Sequence, residues 1–455
     1  MPDIIQPVPY RVFQRANDDT AAIDVAVQRV GDGGATVRLV DSAGAQVPVE
    51  ARLEMGGGAL TGSLEGVPVG GPYTLQVVSS GSVLGEAPGL LVGDLWVLAG
   101  QSNMDGVGKL FDTEPPSDRV NAFYYDDRWA VAEDPFCWYD EAVDPVHWGT
   151  TTDREAAIAL ARLARVAGAG LGVAFGKELD RRLGVPIGLL VCSHGGTSMA
   201  QWSPDLLDEG GNSLYGSMIR RIRAVGRHIA GIAWYQGESD ANPEAAPAYA
   251  DTFARFVEAV RRDVGQPGLP IVYVQIGCFY ISEYGPELVS SWHQVQDAQV
   301  RAETLIPHSG MASAIDLSLH DGIHIDTPGL RRLGRRLAHV AHIVAYGASG
   351  AGAIGPRPGR NVVSEDRRTV RVGFEHVNGS LTTPGRVRGF TVMLGDETRW
   401  PTDARVDRSG SAVVLTFADP LPAGAELHYG WGLNPACGIV DERDLPVPVF
   451  GPARL

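Results

Sequence analysis

Cysteine is scarce in this sequence, and the cysteines that are present lie far apart. The chain of 455 residues contains 4 cysteines, and none of them belongs to a CxxC pair. Zinc knuckles and disulfide frameworks need closely spaced or paired cysteines. The sequence therefore indicates neither, and we predict small buried side chains at these positions. The positions are Cys137, Cys192, Cys278 and Cys437.

An excess of positive charge is also missing. Lys and Arg number 38 against 54 Asp and Glu, which gives a formal net charge of -16. Binding of nucleic acid requires a cluster of basic side chains that displaces counterions, so no nucleic acid partner is expected. The one local exception is a basic run whose spacing is typical of a solvated helix face. It consists of Arg331, Arg332, Arg335 and Arg336.

Long apolar runs are the third absence. No stretch is long enough to cross a bilayer, so we expect no membrane association. Polar residues and prolines such as Asp3, Pro7 and Arg11 interrupt the N-terminal region where a secretory signal needs a continuous apolar core. A cytoplasmic location is therefore the expectation, and a mature secreted form would have the same appearance.

The length of the chain and its changing texture predict three domains. A chain of 455 residues is too long for one hydrophobic core. Short alternating runs separated by Gly-rich turns predict a β-sandwich-like domain over residues 1–91. The same texture predicts a second β-domain over residues 358–455, after a linker rich in Gly, Ala and Pro. A central domain over residues 92–347 lies between them.

The central region alternates short apolar runs with helical patterns. Near-continuous apolar strands that alternate with helices predict a parallel sheet covered on both faces, a three-layer α/β/α arrangement. Such a sheet places its chemistry at the carboxyl ends of the strands. The apolar runs occupy residues 95–99, 187–192, 231–235, 271–276 and 311–315.

Polar motifs follow these runs and are therefore expected to meet at one edge of the sheet. The first run leads into Gly100-Gln-Ser-Asn-Met104 and the second into Ser193-His-Gly-Gly-Thr-Ser198. The third leads into Gln236-Gly-Glu-Ser-Asp240, and the fifth precedes His320-Asp-Gly-Ile-His324. The sequence thus predicts one site built from four motifs.

A hydroxyl, an imidazole and a carboxylate in these motifs suit nucleophilic catalysis. Ser102 lies on a turn after a strand, although Met104 departs from the GxSxG elbow of α/β-hydrolases. Asp321 precedes His324 by three residues, which lets the acid accept a hydrogen bond from one ring nitrogen. The other ring nitrogen is then free to take a proton from Ser102.

Acyl transfer also needs hydrogen-bond donors for the developing oxyanion. The candidates are the backbone N–H of Ser102, the N–H of Gly196 and the side-chain amide of Gln236. Trp202 and His194 are candidate substrate contacts, the alternatives being a core tryptophan and a structural histidine.

In this order the four motifs resemble the blocks of SGNH hydrolases of the sialate O-acetylesterase and acetylxylan esterase type. Val92-Gly-Asp-Leu-Trp96 and Tyr429-Gly-Trp431 are similar to sialate O-acetylesterases, in which β-domains flank the hydrolase domain. The resemblance implies a flavodoxin-like parallel sheet in the central domain. It also implies a serine esterase that removes acetyl groups from a carbohydrate through an acyl-enzyme and requires no cofactor.

The resemblance also implies a role for each motif residue. Ser102 becomes the nucleophile and an oxyanion donor, Gly196 the second donor, and Gln236 takes the place of an Asn used by many SGNH enzymes. His324 becomes the base. Both Asp321 and Glu238 are acids of the family motifs, and we favour Asp321 as the direct partner of His324.

Two other functions stay open from the sequence. Asp316, His320, Asp321 and His324 include the ligand types of a metal-dependent hydrolase, although Gly322 indicates a loop rather than a helix that would align the two histidines. A non-catalytic carbohydrate-binding protein with an esterase fold is the second alternative. The sugar remains open among sialate esters, acetylated xylan or xyloglucan fragments and simpler acetylated sugars.

Overall fold

A computed structural model of the chain describes residues 3–30, 34–149, 153–347, 352–395 and 397–455. Strands dominate its N-terminal part, because β-branched and apolar residues alternate there with polar ones. The strands are β1 (Asp3–Gln6), β2 (Val12–Gln14), β3 (Thr20–Gln28), β4 (Thr36–Val40), β5 (Glu50–Gly56), β6 (Ala59–Pro68), β7 (Gly70–Ser79) and β8 (Ser82–Gly100).

These strands form two layers around one apolar core. One sheet has the order β1-β3-β6-β5, and in the other layer β7 pairs with β4 and with the first half of β8. Along β3 every second side chain is buried, including Ile23, Val25 and Val27. The alternation follows from the two-residue period of a strand with one face on the core, and the layers together form a β-sandwich.

The central region contains short strands and all the helices that the structure describes. Its strands are β9 (Gly108–Lys109), β10 (Val120–Phe123), β11 (Trp129–Val131), β12 (Ala167–Ala169), β13 (Ile187–Val191), β14 (Gly231–Tyr235), β15 (Ile271–Gln275) and β16 (Ser309–Ser313). The helices are α1 (Ser102–Asp105), α2 (Arg154–Ala164), α3 (Gly172–Leu183), α4 (Leu214–Val225), α5 (Tyr249–Val264), α6 (Pro286–Leu305) and α7 (Thr327–Tyr346). Short 3-10 helices cover Tyr139–Glu141, Pro145–His147, Pro204–Asn212, Glu238–Asp240 and Ala246–Ala248.

The main sheet is parallel, as its apolar strands predict. Its order is β11-β10-β13-β8-β14-β15-β16, and only the edge strand β11 runs antiparallel to its neighbour. Helices α3 and α7 pack on each other, whereas α4, α5 and α6 form a second group. The structure thus confirms the predicted α/β/α class, with strands at the five apolar runs.

Strand β10 was not predicted from the sequence. Its four residues, Val120 to Phe123, are all buried, and they are too few to stand out as an apolar run. Asn121 breaks the run further, and its side-chain amide donates to Tyr10 O and Gly89 O. These bonds to the N-terminal layer place a polar residue inside the sheet.

The basic run in α7 is a solvated face only in part, because Arg336 is buried. Arg336 is 2% exposed and binds both carboxylate oxygens of Asp316 at 2.7 and 2.8 Å. Arg332 pairs with Asp444, and Arg331 and Arg335 pair with Glu114. The run therefore ties α7 to neighbouring segments through ion pairs, which spacing along a helix cannot reveal.

The C-terminal part is again antiparallel β-structure. Its two sheets have the orders β17-β18-β22-β21 and β20-β19-β23-β24. Their residues Val372, Val392, Leu415 and Leu427 lie in one apolar cluster. The strands are β17 (Arg357–Val363), β18 (Thr369–Glu375), β19 (Phe390–Leu394), β20 (Glu397–Arg399), β21 (Asp403–Val406), β22 (Ala412–Thr416), β23 (Glu426–Tyr429) and β24 (Phe450–Arg454).

We propose that the three large apolar clusters are the cores of three domains, with boundaries near residues 91 and 347 to 358. The first boundary falls inside β8, whose beginning pairs with β7 and whose end pairs with β13 and β14. One continuous strand therefore joins the N-terminal layer to the main sheet. No helix of the described residues is sufficiently long and apolar to span a membrane.

Candidate active site

The carboxyl ends of three adjacent strands bring the polar motifs together. His194 N–H donates to Gly100 O at 2.9 Å, and Gln101 N–H donates to Tyr235 O at 2.8 Å. The turn at Gly100 requires glycine, since its φ is 129° and a Cβ there would lie 2.1 Å from Tyr235 O. The chain is thereby turned so that α1 begins at Ser102.

Ser102, His324 and Asp321 form one hydrogen-bonded line. His324 Nε2 lies 3.0 Å from Ser102 Oγ, and His324 Nδ1 lies 2.7 Å from Asp321 Oδ2. The side chain of His324 is 24% exposed and that of Asp321 is 44% exposed. The line is therefore open to solvent and accessible to a large substrate.

The loop that carries His324 is shaped by Asp321 itself. Asp321 Oδ1 accepts the N–H groups of Ile323 and His324, both at 2.8 Å. Partial burial opposes ionisation, but these two bonds and the imidazole lower the pKa of Asp321 to about 2. An ionised Asp321 only accepts hydrogen bonds, so His324 carries its proton on Nδ1 and offers Nε2 to Ser102.

Two backbone donors near Ser102 have no acceptor within the described part of the chain. They are the N–H of Ser102, at the first position of α1, and the N–H of Gly196. A Cβ built on the neighbouring Gly195 would lie 3.7 Å from Ser102 Cβ, so the Gly195-Gly196 turn packs closely on the serine. Unpaired N–H groups beside a hydroxyl are the arrangement that an oxyanion requires.

Gln236 does not supply a third donor, and this prediction is wrong. Its side chain is 0% exposed, and its amide nitrogen donates to Thr197 O at 3.1 Å and to Asp240 Oδ2. Both amide hydrogens are therefore used inside the protein. Gln236 instead links the end of β14 to the loop that follows β13.

Glu238 makes no hydrogen bond to His324. Its Oε1 accepts from Asn103 Nδ2 at 2.8 Å, and Asn103 Oδ1 accepts from Ile325 N at 3.1 Å. Asn103 Nδ2 also lies 3.3 Å from Ile323 O. Asn103 thus holds the backbone on both sides of His324, and Glu238 orients Asn103.

The burial of Glu238 predicts a pH-dependent contribution to stability. Burial raises the pKa of Glu238 to about 7, although the hydrogen bond from Asn103 acts to lower it. The folded state then binds more protons than the unfolded state between about pH 4.5 and 7, so Glu238 lowers stability as the pH rises through this window. Glu238→Gln keeps an acceptor for Asn103 and removes this titration.

The quantity to compare is the unfolding free energy of Glu238→Gln minus that of the parent. We therefore expect this difference to be about 1 to 3 kcal/mol larger at pH 7 than at pH 4.5. Urea unfolding at both pH values measures the difference. The exposed Glu244→Gln on the loop before α5 is the control. Equal pH dependence in parent and Glu238→Gln would contradict a titrating buried carboxyl.

Trp202 does not stack on substrate, and that prediction is also wrong. It is 0% exposed, packs edge-on against Trp234 and donates Nε1–H to Thr197 Oγ1 at 3.0 Å. His194 is half-buried, and its ring stacks on Tyr139 with centroids 4.5 Å apart. Of the two candidate contacts, only His194 has an accessible side chain.

Two residues that support the glycine turn, Tyr139 and His147, were not predicted from the sequence. The Tyr139 hydroxyl accepts the N–H of Gly195 at 2.8 Å and donates to Asp105. His147 lies 3.0 Å from His194, measured between the two Nδ1 atoms. No motif marks the segment from 139 to 147, so only the fold reveals that it lies behind the site.

A group of potential metal ligands overlaps the same loop. One ligand atom from each of His320, Asp321 and His324 lies within 4.8 Å of the others. Asp316 does not join them, because Arg336 binds its carboxylate. Among the described residues this is the one such cluster, and two of its members already bond each other.

Comparisons with known proteins show which family the chain resembles. The family model described as carbohydrate esterase, sialic acid-specific acetylesterase, matches residues 92–342. A probable carbohydrate esterase of Arabidopsis thaliana is 28% identical over 268 residues, which cover 54% of this chain and 88% of that protein. The sialate O-acetylesterase of Mus musculus is 25% identical over 464 residues, covering 85% of this chain and 83% of that protein.

A solved structure extends the similarity to the flanking β-structure. The carbohydrate acetylesterase of Xanthomonas citri matches with a TM-score of 0.65 and 26% identity, covering 99% of each chain. The family model alone spans more than half of this chain. The chain therefore belongs to the carbohydrate esterase family of sialic acid-specific acetylesterases, and it is a carboxylic ester hydrolase.

Proposed function

We propose that this chain removes acetyl groups from an O-acetylated carbohydrate with Ser102 as nucleophile, His324 as base and Asp321 as its acid partner. The proposal rests on two distances. Ser102 Oγ lies 3.0 Å from His324 Nε2, and His324 Nδ1 lies 2.7 Å from Asp321 Oδ2. Ser102 attacks the acetyl carbonyl while its proton passes to His324. His324 then protonates the departing sugar oxygen, and water hydrolyses the acetyl-enzyme by the reverse roles.

Backbone N–H groups stabilise the negative oxygen in this mechanism. The donors are those of Ser102 and Gly196, which have no other acceptor within the described ranges. The φ of Gly196 is 69°, and no heavy atom lies within 4 Å of a Cβ built there. Each well-aimed donor contributes about 3 to 4 kcal/mol to the transition state.

Asn103 and Glu238 act as positioning residues rather than as acids. The bonds from Asn103 to Ile325 N and Ile323 O fix the loop on both sides of His324. Glu238 lies behind Asn103 and is 9% exposed. It therefore acts on the imidazole only through the amide of Asn103.

The openness of the site and the names of the relatives support the proposed substrate class. Asp321 and His324 are partly exposed at the carboxyl end of the sheet, where a bulky sugar can approach. Relatives are named sialate O-acetylesterase and carbohydrate acetylesterase. We therefore propose an O-acetylated sugar as substrate, with sialate esters and acetylated xylan or xyloglucan fragments as the first to test.

The metal-ligand group favours one competing function, a metal-dependent hydrolase. His320 Nε2 lies 3.4 Å from Asp321 Oδ2, close to the atom that bonds His324. A cation held there would bind His324 at Nδ1 in place of a proton, so a neutral His324 would carry its proton on Nε2 and have no lone pair for Ser102. The two functions therefore differ in their response to chelation.

An acetate-release screen with and without a chelator tests this proposal. Purified protein is incubated with O-acetylated sialic acid, acetylated xylan, acetylated xyloglucan and p-nitrophenyl acetate, and acetate is measured after dialysis against EDTA or buffer alone. We expect release from p-nitrophenyl acetate and at least one glycan, at rates within twofold of each other in the two treatments. Loss of activity in EDTA that Zn²⁺ restores would support the metal-dependent function instead.

A further inference from the structure

A buried chain of hydrogen bonds leads from a carboxylate to the edge of the site. Arg220 binds Asp144 Oδ2 through Nε at 3.0 Å and Nη2 at 2.8 Å, and Ser217 Oγ lies 2.6 Å from the same oxygen. His147 Nε2 lies 3.3 Å from Ser217 Oγ. His147 Nδ1 in turn lies 3.0 Å from Nδ1 of His194. At most 4% of Asp144, Ser217 or His147 is exposed.

The direction of each bond in this chain is fixed by the first one. Asp144 is paired with Arg220 and therefore ionised, so it accepts and Ser217 donates. Ser217 then has only lone pairs to offer, and His147 must donate to it from Nε2. A neutral His147 consequently accepts at Nδ1, and His194 must donate its Nδ1 proton.

This leaves His194 with an unprotonated Nε2. The side chain of His194 is half-buried, and no described residue bonds to its Nε2. Nε2 is not one of the buried side-chain atoms that lack a partner, so solvent reaches it. Burial also lowers the pKa of both imidazoles, which keeps them neutral. His194 thus presents one fixed acceptor to the solvent.

The backbone of His194 lies beside the proposed reacting centre. His194 N–H bonds Gly100 O, two residues before Ser102. The next residue, Gly195, packs on Ser102 and bonds the Tyr139 hydroxyl, while the ring of Tyr139 stacks on His194 at an angle of 15°. His147 therefore holds the edge of the His194 ring and Tyr139 holds its face. His194 belongs to the loop that carries Gly196.

We propose that His194 Nε2 is a substrate subsite that accepts a hydrogen bond from a hydroxyl of the sugar next to the acetylated position. The inference rests on the proposed function and names its specificity element. A fixed acceptor selects a hydroxyl donor and disfavours a methylated or deoxy position, because neither can donate. p-Nitrophenyl acetate, which has no sugar hydroxyl, does not use the subsite.

His194→Phe tests the subsite because a phenyl ring keeps the stacking on Tyr139 and removes the acceptor. We expect kcat/KM for the fastest glycan of the screen to fall about tenfold, mainly through KM. The rate with p-nitrophenyl acetate should change less than twofold. His228→Phe is the matched control at an exposed histidine before β14, and it should change the rate with neither substrate.

A second measurement does not depend on any variant being active. Imidazole ¹⁵N spectra of the histidine-labelled protein, with the His194 signals assigned by their loss in His194→Phe, report which nitrogen carries the proton. We expect the proton on Nδ1 of His194. A proton on Nε2 would overturn the inference.

The outcomes also separate this inference from the proposed function. If kcat/KM of His194→Phe falls equally on both substrates, or does not fall on the glycan, the subsite is overturned. The esterase mechanism is left intact by either result. Release from p-nitrophenyl acetate without release from any glycan would instead overturn the carbohydrate part of the proposed function. A turnover rate in Ser102→Ala within tenfold of the parent would overturn the mechanism.

Discussion

Replacement of Ser102 by alanine is expected to lower kcat for acetate release by about 10⁴- to 10⁶-fold. The hydroxyl lies 3.0 Å from His324 Nε2, and in the proposed mechanism it forms the acyl-enzyme. The backbone donors of Ser102 and Gly196 stay in place in the variant, so a small residual rate is expected from them and from substrate binding. Initial rates of acetate release from p-nitrophenyl acetate and from the preferred glycan measure the effect.

The control for this prediction is Ser290→Ala, at an exposed serine of α6. It loses the same hydroxyl at a position outside the four motifs and should keep the rate of the parent. Circular dichroism and the unfolding midpoint of Ser102→Ala should equal those of the parent, because Ser102 is not part of an apolar core. A rate within tenfold of the parent in Ser102→Ala would contradict the serine mechanism.

Asp321→Asn is expected to lower kcat by about 10³- to 10⁴-fold. The asparagine oxygen can still accept the N–H groups of Ile323 and His324, which hold the loop. Its amide hydrogens, however, face His324 Nδ1 and favour the tautomer that carries the proton on Nε2. The base then has no lone pair for Ser102, although the positions of the side chains hardly change.

Glu238→Gln is the matched comparison, because it replaces the other acid of the motifs by its amide. Glu238 bonds Asn103 and not His324, and an amide oxygen can still accept from Asn103. We expect a loss in kcat of less than about tenfold, as for one modest hydrogen bond. A larger loss in Glu238→Gln than in Asp321→Asn would contradict the assignment of Asp321 as the partner of His324.

The fold class could be predicted because its signals are local. Five strands of the main sheet overlap the apolar runs of the sequence, and burial on both faces favours this composition. β10 escaped prediction since it spans four residues, one of them Asn121. The basic run of α7 was misjudged in part for a related reason: its partners Asp316, Asp444 and Glu114 are distant in sequence, and spacing along one helix cannot reveal them.

The residue types of the candidate site could be predicted, but the directions in which their side chains point could not. Ser102, Asp321 and His324 were selected by residue type and position after strands, and they lie within hydrogen-bond distance. Gln236 and Trp202 were selected by the same reasoning and face the interior. A residue at a strand end can point into the cleft or into the protein, and only its packing partners determine which.

The sequence by itself determined which residues reach the carboxyl edge of the sheet, because the apolar runs mark where the parallel strands end. The tertiary structure alone decided which of their atoms are free to act. Asp240 and Thr197 occupy the amide of Gln236, Asn103 separates Glu238 from His324, and His147 fixes the exposed nitrogen of His194. The physical reason is that a hydrogen-bonding group already paired inside the protein is unavailable to a substrate, and those pairings join segments far apart in the chain.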